Sequence, residues 1–300
     1  MKMFLDTSMN LCTSVLPKFS FNEAVDIAIH SGYQGIELRV NDNFHKSLED
    51  LDQEGFFLRR KLERAGLAVP VLNSYLPVDD EGSVDQLLQV AEKMGVPKVR
   101  LVLPRGCHAS VARLAQINEI IPSYEALQEP QELMVSLRKT LRQLERKAYK
   151  AGVQVLLELH WGTVMSSFSS AFCLVNDLDP DCVAITFDPA NMMVEGKEDW
   201  EFGIKLIRSH LVNVHVKNMN WKQTSTGWAW GWAPLNRGMV DWKELISLLE
   251  QNGYAGDYAM EDFLVPNADR ESAITYLRQA RTEFHEVFLR AAAPRHLAAS

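Results

Sequence analysis

Short apolar runs alternate with longer stretches of helical periodicity along this chain of 300 residues. Runs such as VQVLLELH, VAITFDPAN, LVNVHVKN and YAMEDF read as buried strands, because parallel strands covered on both faces are continuously apolar. Strands are expected near 2–7, 35–39, 68–73, 98–103, 153–160, 183–188, 211–217 and 258–262. Helical patterns fall between them at 21–30 (opened by Ser20), 52–65, 84–94, 132–151, 169–176, 198–209, 242–251 and 272–290. In the fourth of these, Leu137, Leu141, Leu144 and Ala148 recur at the spacing of one buried helix face. Gly32, Gly66, Gly95, Gly152 and Gly253 each follow a helix and precede a strand, where a helix C-cap belongs. Eight strand–helix units predict an α/β chain folded as a (β/α)8 TIM barrel, one domain over 1–290 with a C-terminal helix, and a tail at 291–300.

Two connections are too long for that rhythm, and both follow strands, which places them on the mouth side of a barrel. The first, 104–130, includes RGCH and a short helical pattern near 110–120; it reads equally as a lid or as an inert surface insertion. The second, 218–240, carries Trp221, Trp228, Trp230 and Trp232 within twelve positions. Such indoles serve as a wall against a carbohydrate or polyol, with Trp230 the candidate contact, or as a cover or subunit interface.

The chemistry stands at the strand ends. Glu158, Asp188, His215 and Glu261 each close an apolar run, and in a closed parallel barrel those ends converge on one mouth. A single carboxylate after a strand is commonly a helix N-cap, and Asp188, followed by Pro189, suits that role too. His215 carries more weight, because an imidazole between Val214 and Val216 needs a buried partner. Three oxygen donors and one nitrogen donor predict one divalent metal ion, with Mn²⁺, Co²⁺ or Mg²⁺ favoured and Zn²⁺ less so without a cysteine ligand. Two residues beyond Glu158, His160 shares its side of the strand and is a candidate substrate or outer-shell contact. Lys217 stands in the same relation to His215 and is expected to face substrate oxygens. Glu37 and Arg39 at the end of the second strand are read either as lining the mouth or as a structural ion pair.

Composition sets the outer limits. Net charge of −8 opposes general affinity for nucleic acid or an anionic membrane surface. No window approaches the roughly 20 apolar residues of a membrane span. Cys12, Cys107, Cys173 and Cys182 show no close paired spacing and read as reduced thiols. With an N-terminus that does not resemble a signal peptide, they lead to the expectation of a cytoplasmic protein.

The series GYQGIELR, VQVLLELH, TFDPAN, NVHVKN, PLNRGMVDW and YAMEDF resembles the xylose-isomerase-like (β/α)8 superfamily of sugar phosphate isomerases and epimerases. Its members include ketose 3-epimerases, hydroxypyruvate isomerases, inosose and dehydroshikimate dehydratases, and abasic-site endonucleases. The resemblance implies that Glu158, Asp188, His215 and Glu261 bind one divalent metal, and that Glu158 and Glu261 are the catalytic acid–base pair. A cation chelating a sugar carbonyl and its neighbouring hydroxyl would make the α-carbon acidic, and two carboxylates on opposite faces would then epimerise it. Expulsion of a β-hydroxyl from the same enediolate would give a dehydratase instead. The chain departs from the pattern at Asn191, where many ketose epimerases place a histidine, and at Asn218, where HxKD is common. Asn191 can still hydrogen-bond a substrate hydroxyl, and Arg237 in PLNRG can meet an anionic group. A small sugar or polyol-derived substrate is expected, handled by a monomer or a homo-oligomer. The endonuclease reading lacks the histidines it would need on the third and fourth strands.

Overall fold

The computed structural model describes residues 9–105 and 129–292. The strands are β1 (Met9–Cys12), β2 (Gly35–Val40), β3 (Ala68–Pro77), β4 (Lys98–Val102), β5 (Gln154–Glu158), β6 (Val183–Phe187), β7 (Leu211–Val216), β8 (Asn218–Thr224), β9 (Gly227–Ala233) and β10 (Asp257–Met260). β1 to β7 pair in sequence, and β10 closes the parallel barrel between β7 and β1. β8 and β9 form a separate antiparallel hairpin. The chain is therefore a (β/α)8 TIM barrel. Around it lie α1 (Phe21–Ser31), α2 (Leu48–Arg64), α3 (Glu81–Met94), α4 (Pro130–Ala151), α5 (Phe168–Val175), α6 (Pro189–Glu195), α7 (Trp200–Leu206), α8 (Trp242–Gln251) and α9 (Arg270–Ala292).

Local signals account for most boundaries. Ser20 opens α1 with a capping box in which its hydroxyl and the Glu23 carboxylate satisfy each other's backbone N–H groups. A second box, Ser47 with Asp50, starts α2 four residues before the apolar periodicity at 52–65 becomes visible. Gly95 and Gly152 end α3 and α4 with φ of 70° and 62°, a conformation that penalises any residue with a Cβ. Leu137, Leu141, Leu144 and Ala148 form the buried stripe of α4. Burial of each leucine contributes roughly 1.5–3 kcal/mol.

Three expectations change. The first barrel strand is Met9–Cys12, not 2–7; residues 1–8 lie outside the described residues, and it is MNLC that pairs with Gly35–Glu37 and Tyr258–Met260. The consecutive Met3, Phe4 and Leu5 drew the sequence reading upstream of a strand of only four residues. The tryptophan-rich connection is a hairpin, joined by seven cross-strand pairs from Asn218↔Ala233 to Thr224↔Gly227. The C-terminal helix continues to Ala292, past the expected end at 290, and 293–300, the rest of the expected tail, lie outside the described residues. So are 106–128, where the lid or insertion was expected.

The main apolar core fills the layer between strands and helices. A separate small cluster joins Val71, Leu156 and Ala184, from β3, β5 and β6. Two residues further along those strands come Asn73, Glu158 and Thr186, all buried. Because side chains alternate with period two, each polar residue stands on the same side of its strand as the apolar one beneath it. The lumen thus changes from apolar to polar toward the C-terminal mouth.

Candidate metal centre

Strand register brings the four candidate ligands together. Glu158 pairs with Thr186, two residues before Asp188, and Thr186 pairs with Asn213, two residues before His215. His215 pairs with Ala259, two residues before Glu261. Each step of two keeps the side chain on the same side of its strand and raises it one layer toward the mouth. Asp188 also caps α6, accepting the Asn191 backbone N–H at 2.9 Å, so the helix-cap role and a place in the cluster coexist in one residue.

The ligating atoms of Glu158, Asp188, His215 and Glu261 all lie within 4.8 Å of one another. His215 Nδ1 stands 3.3 Å from Glu158 Oε1, 3.8 Å from Asp188 Oδ2 and 3.2 Å from Glu261 Oε2, without a well-directed hydrogen bond to any of them. Cis donors around a cation bound at about 2.1 Å stand roughly 3 Å apart. An unspent imidazole nitrogen facing three carboxylate oxygens at these separations fits a divalent cation.

Each carboxylate also meets a donor of the protein. Glu158 Oε2 is ion-paired with Arg100, and its Oε1 accepts Asn191 Nδ2 at 3.0 Å. Glu261 Oε1 accepts the Ser14 hydroxyl at 3.3 Å, and Lys217 Nζ lies 2.6 Å from Asp188 Oδ2 and 2.7 Å from Glu261 Oε2. Burial works against charge on both glutamates, but Arg100 and His215 beside Glu158, and Lys217 and His215 beside Glu261, hold each well below the usual carboxylate range. Burial likewise disfavours charge on His215 and Lys217; the carboxylates outweigh it and push both well above their ordinary values.

Above the cluster a cavity is lined by Glu158, Asn191, Lys217 and Glu261, with His160 and four aromatic residues, Tyr75, Trp161, Trp232 and Phe263. His160 Nδ1 donates to the Trp161 carbonyl at 2.7 Å, since a carbonyl can only accept, and Nε2 is left to exchange a proton. Asn191 Oδ1 is buried and accepts no hydrogen bond from the described residues. A larger open depression of about 500 Å³ between α8 and α9 is lined by Lys243, Glu244 and Arg290 and shares no residue with this site.

The other residues singled out by sequence fall elsewhere. Trp230 packs edge-on against Trp161 and Trp232, one step behind the cavity, which Trp232 itself faces. Arg237 is exposed in the turn after β9 and does not line the cavity. Glu37 is 1% exposed and lies against His215 Nε2, on the far side of the ring from the three carboxylates. Sequence reading missed Tyr75, Trp161 and Phe263, although Tyr75 follows Asn73 by two and Phe263 follows Glu261 by two, the alternation that selected His160 and Lys217. It also missed Cys12, which is fully buried with Sγ 3.8 Å from His215 Nε2 and forms an overlapping ligand group with His215 and Glu261.

The chain belongs to the xylose isomerase-like TIM barrel family, whose sequence model matches residues 25–280. Solved structures share the fold at low identity. The probable 3-DHS dehydratase AsbF from Bacillus anthracis is 20% identical, covering 92% of this chain and 98% of its own, with a TM-score of 0.66. The 3-keto-D-glucoside 4-epimerase YcjR from E. coli is 16% identical over 94% of this chain and 100% of its own, at 0.66. The IOLI protein, solved with a zinc atom, is 15% identical over 95% and 99%, at 0.69, and a Mycobacterium smegmatis member was solved with magnesium. No curated protein matches the chain by sequence. Among the described residues no helix is long and apolar enough to cross a membrane.

Proposed function

We propose that the protein is a divalent-metal-dependent isomerase or epimerase of sugars or sugar phosphates, with Glu158 and Glu261 as the proton-transferring pair. The observation that carries this reading is that both glutamates belong to the four-donor cluster and also line the same cavity. Glu158, Asp188, His215 and Glu261 would hold the metal, which would supply positive charge to substrate oxygens as an adjacent carbon loses its proton. Both glutamates are held ionised, the form in which a carboxylate accepts that proton. Lys217, an ammonium at the cavity wall, would donate to an oxygen gaining negative charge. Asn191 Oδ1, a buried acceptor, suits a hydroxyl of a polyhydroxylated substrate. The aromatic rim would take the substrate's C–H faces and shield the reacting carbon from water.

A second reading, a dehydratase, is favoured by His160. Its Nε2, once protonated, can deliver a proton to a departing β-hydroxyl after a glutamate has taken the α-proton. Elemental analysis of the purified protein, followed by a screen of ketoses, inososes and their phosphates with a mass readout, separates the two. An isomerised product of unchanged mass supports the first reading, and loss of one water supports the second. A protein that retains no divalent metal and turns over none of these compounds would remove both.

A further inference from the structure

Glu37 is a fully enclosed carboxylate outside the cavity. It stands in β2 between Ile36 and Leu38, both buried in the main core, and its side chain points the other way, into the lumen. Oε2 lies 3.1 Å from His215 Nε2 and also accepts the Cys12 thiol at 3.4 Å. Oε1 accepts Asn213 Nδ2 at 2.8 Å, and Asn213 Nδ2 in turn reaches Thr186 Oγ1 at 3.4 Å. Asn213 precedes His215 by two residues on β7, so one strand supplies both the imidazole and the amide that anchors its partner.

This arrangement decides which nitrogen of His215 is available. A neutral imidazole carries one proton, and a carboxylate at hydrogen-bond distance can only accept it. With a cation held by Glu158, Asp188 and Glu261 the ring would keep a single proton, on Nε2 where Glu37 accepts it, and the lone pair of Nδ1 would be turned toward the three carboxylates. A carboxylate in that position also makes the opposite nitrogen a stronger donor and stops the ring from rotating. We propose that Glu37 is the positioning residue of the metal centre, fixing the orientation and tautomer of His215 through the Glu37–Asn213–Thr186 chain. The proposal rests on reading the four-residue cluster as a metal site, and it moves Glu37 from the substrate to the imidazole behind it.

The test compares Mn²⁺ binding by calorimetry in metal-stripped wild type and Glu37→Gln, with the melting temperature of each metal-free protein as a control. Mg²⁺-loaded wild type, labelled with ¹⁵N-histidine, reports the tautomer of His215 by NMR. Loss of an outer carboxylate partner is expected to weaken Mn²⁺ binding by about 10- to 100-fold, with a cooperative metal-free melting transition verifying that the variant is folded. The spectrum should show the His215 proton on Nε2. Should Glu37→Gln not fold, Glu37→Asp keeps the charge but withdraws it from the ring, and the same weakening is expected. Wild-type affinity in the folded variant, or a proton on Nδ1, overturns the proposal alone. A wild-type protein that binds no Mn²⁺ overturns the metal reading and this proposal with it.

Discussion

Lys217 Nζ lies 2.7 Å from Glu261 Oε2 and 2.6 Å from Asp188 Oδ2, so a buried ammonium is bound to two of the four proposed metal ligands. Leaving a buried charge without its partner costs about 3–5 kcal/mol. Lys217→Met is therefore expected to lower the melting temperature of the metal-free protein. Added Mn²⁺ should recover more stability in the variant than in wild type, since a positive charge facing the cation is gone. Thermal denaturation with and without Mn²⁺ measures both effects. Identical metal-free melting temperatures would show that the ion pairs contribute nothing to the fold.

The acid–base assignment predicts that Glu158→Gln and Glu261→Gln each lower turnover by at least ~10²-fold, the lower range for a positioned proton-transfer group. Metal content must be measured on each variant, because both residues are also proposed ligands. Near-normal turnover by a metal-replete glutamine variant would exclude that residue from proton transfer.

Gly238 tests how the tryptophan hairpin is anchored. Asn218 brackets the hairpin base: its amide donates to the Leu235 and Val240 carbonyls, and its Oδ1 accepts from Val240 N. A Cβ at Gly238 would fall 2.0 Å from the Asn218 side chain. Gly238→Ala is expected to break that bracket and raise the proteolytic sensitivity of the hairpin while leaving far-UV circular dichroism almost unchanged. Wild-type protease resistance would show that the bracket tolerates the displacement.

The legibility of this chain follows the range of the interactions involved. Barrel strands buried on both faces announce themselves as apolar runs, and a charged residue closing such a run is conspicuous; that is why Glu158, Asp188, His215 and Glu261 could be picked out one by one. The α4 stripe of Leu137, Leu141, Leu144 and Ala148 was legible for the same reason, as a period written in one segment. What joins segments was not. Arg100 meets Glu158 and Cys12 meets Glu37 only because of barrel closure and register, which no local pattern records. β1 was misplaced because its four residues carry too little periodicity to stand out beside the consecutive Met3, Phe4 and Leu5. The β8–β9 hairpin was missed because Trp228, Trp230 and Trp232 alternate with small residues, so the strand period was present but was read as loop composition.

Away from the site, burial lowers the pKa of His45 and of His210. In both, Nε2–H donates to backbone carbonyls, Leu16 and Phe19 for His45 and Leu178 for His210. A histidine with a folded pKa below its unfolded value near 6.5 binds its proton more weakly in the fold. Its contribution is therefore complete above about pH 6.5 and is lost as pH falls from there toward the folded pKa. Denaturant titrations of the metal-free protein should show stability declining below about pH 6.5, with a shallower decline in His210→Gln. An unchanged slope in that variant would mean that His210 is not one of the groups responsible.

The hairpin borders the cavity through one of its indoles in particular. Trp232 stacks on Phe263 with centroids 5.2 Å apart and covers Lys217 Nζ at 5.0 Å, whereas Trp228 on the same strand is 63% exposed. Trp221 ties the hairpin to α6 by donating from Nε1 to the Met193 carbonyl at 3.1 Å. If the aromatic rim binds substrate, Trp232→Ala should raise KM by about two- to twelvefold, matching the roughly 0.5–1.5 kcal/mol of an aromatic contact. Trp228→Ala should leave KM unchanged, and a competitive polyol should quench tryptophan fluorescence in wild type more than in Trp232→Ala. The reverse ranking, with Trp228→Ala altering the sedimentation coefficient and Trp232→Ala leaving KM untouched, would make the hairpin a contact between subunits. The assignment of Glu158 and Glu261 would stand in either case, because their proton transfer depends on the strand ends and not on the rim.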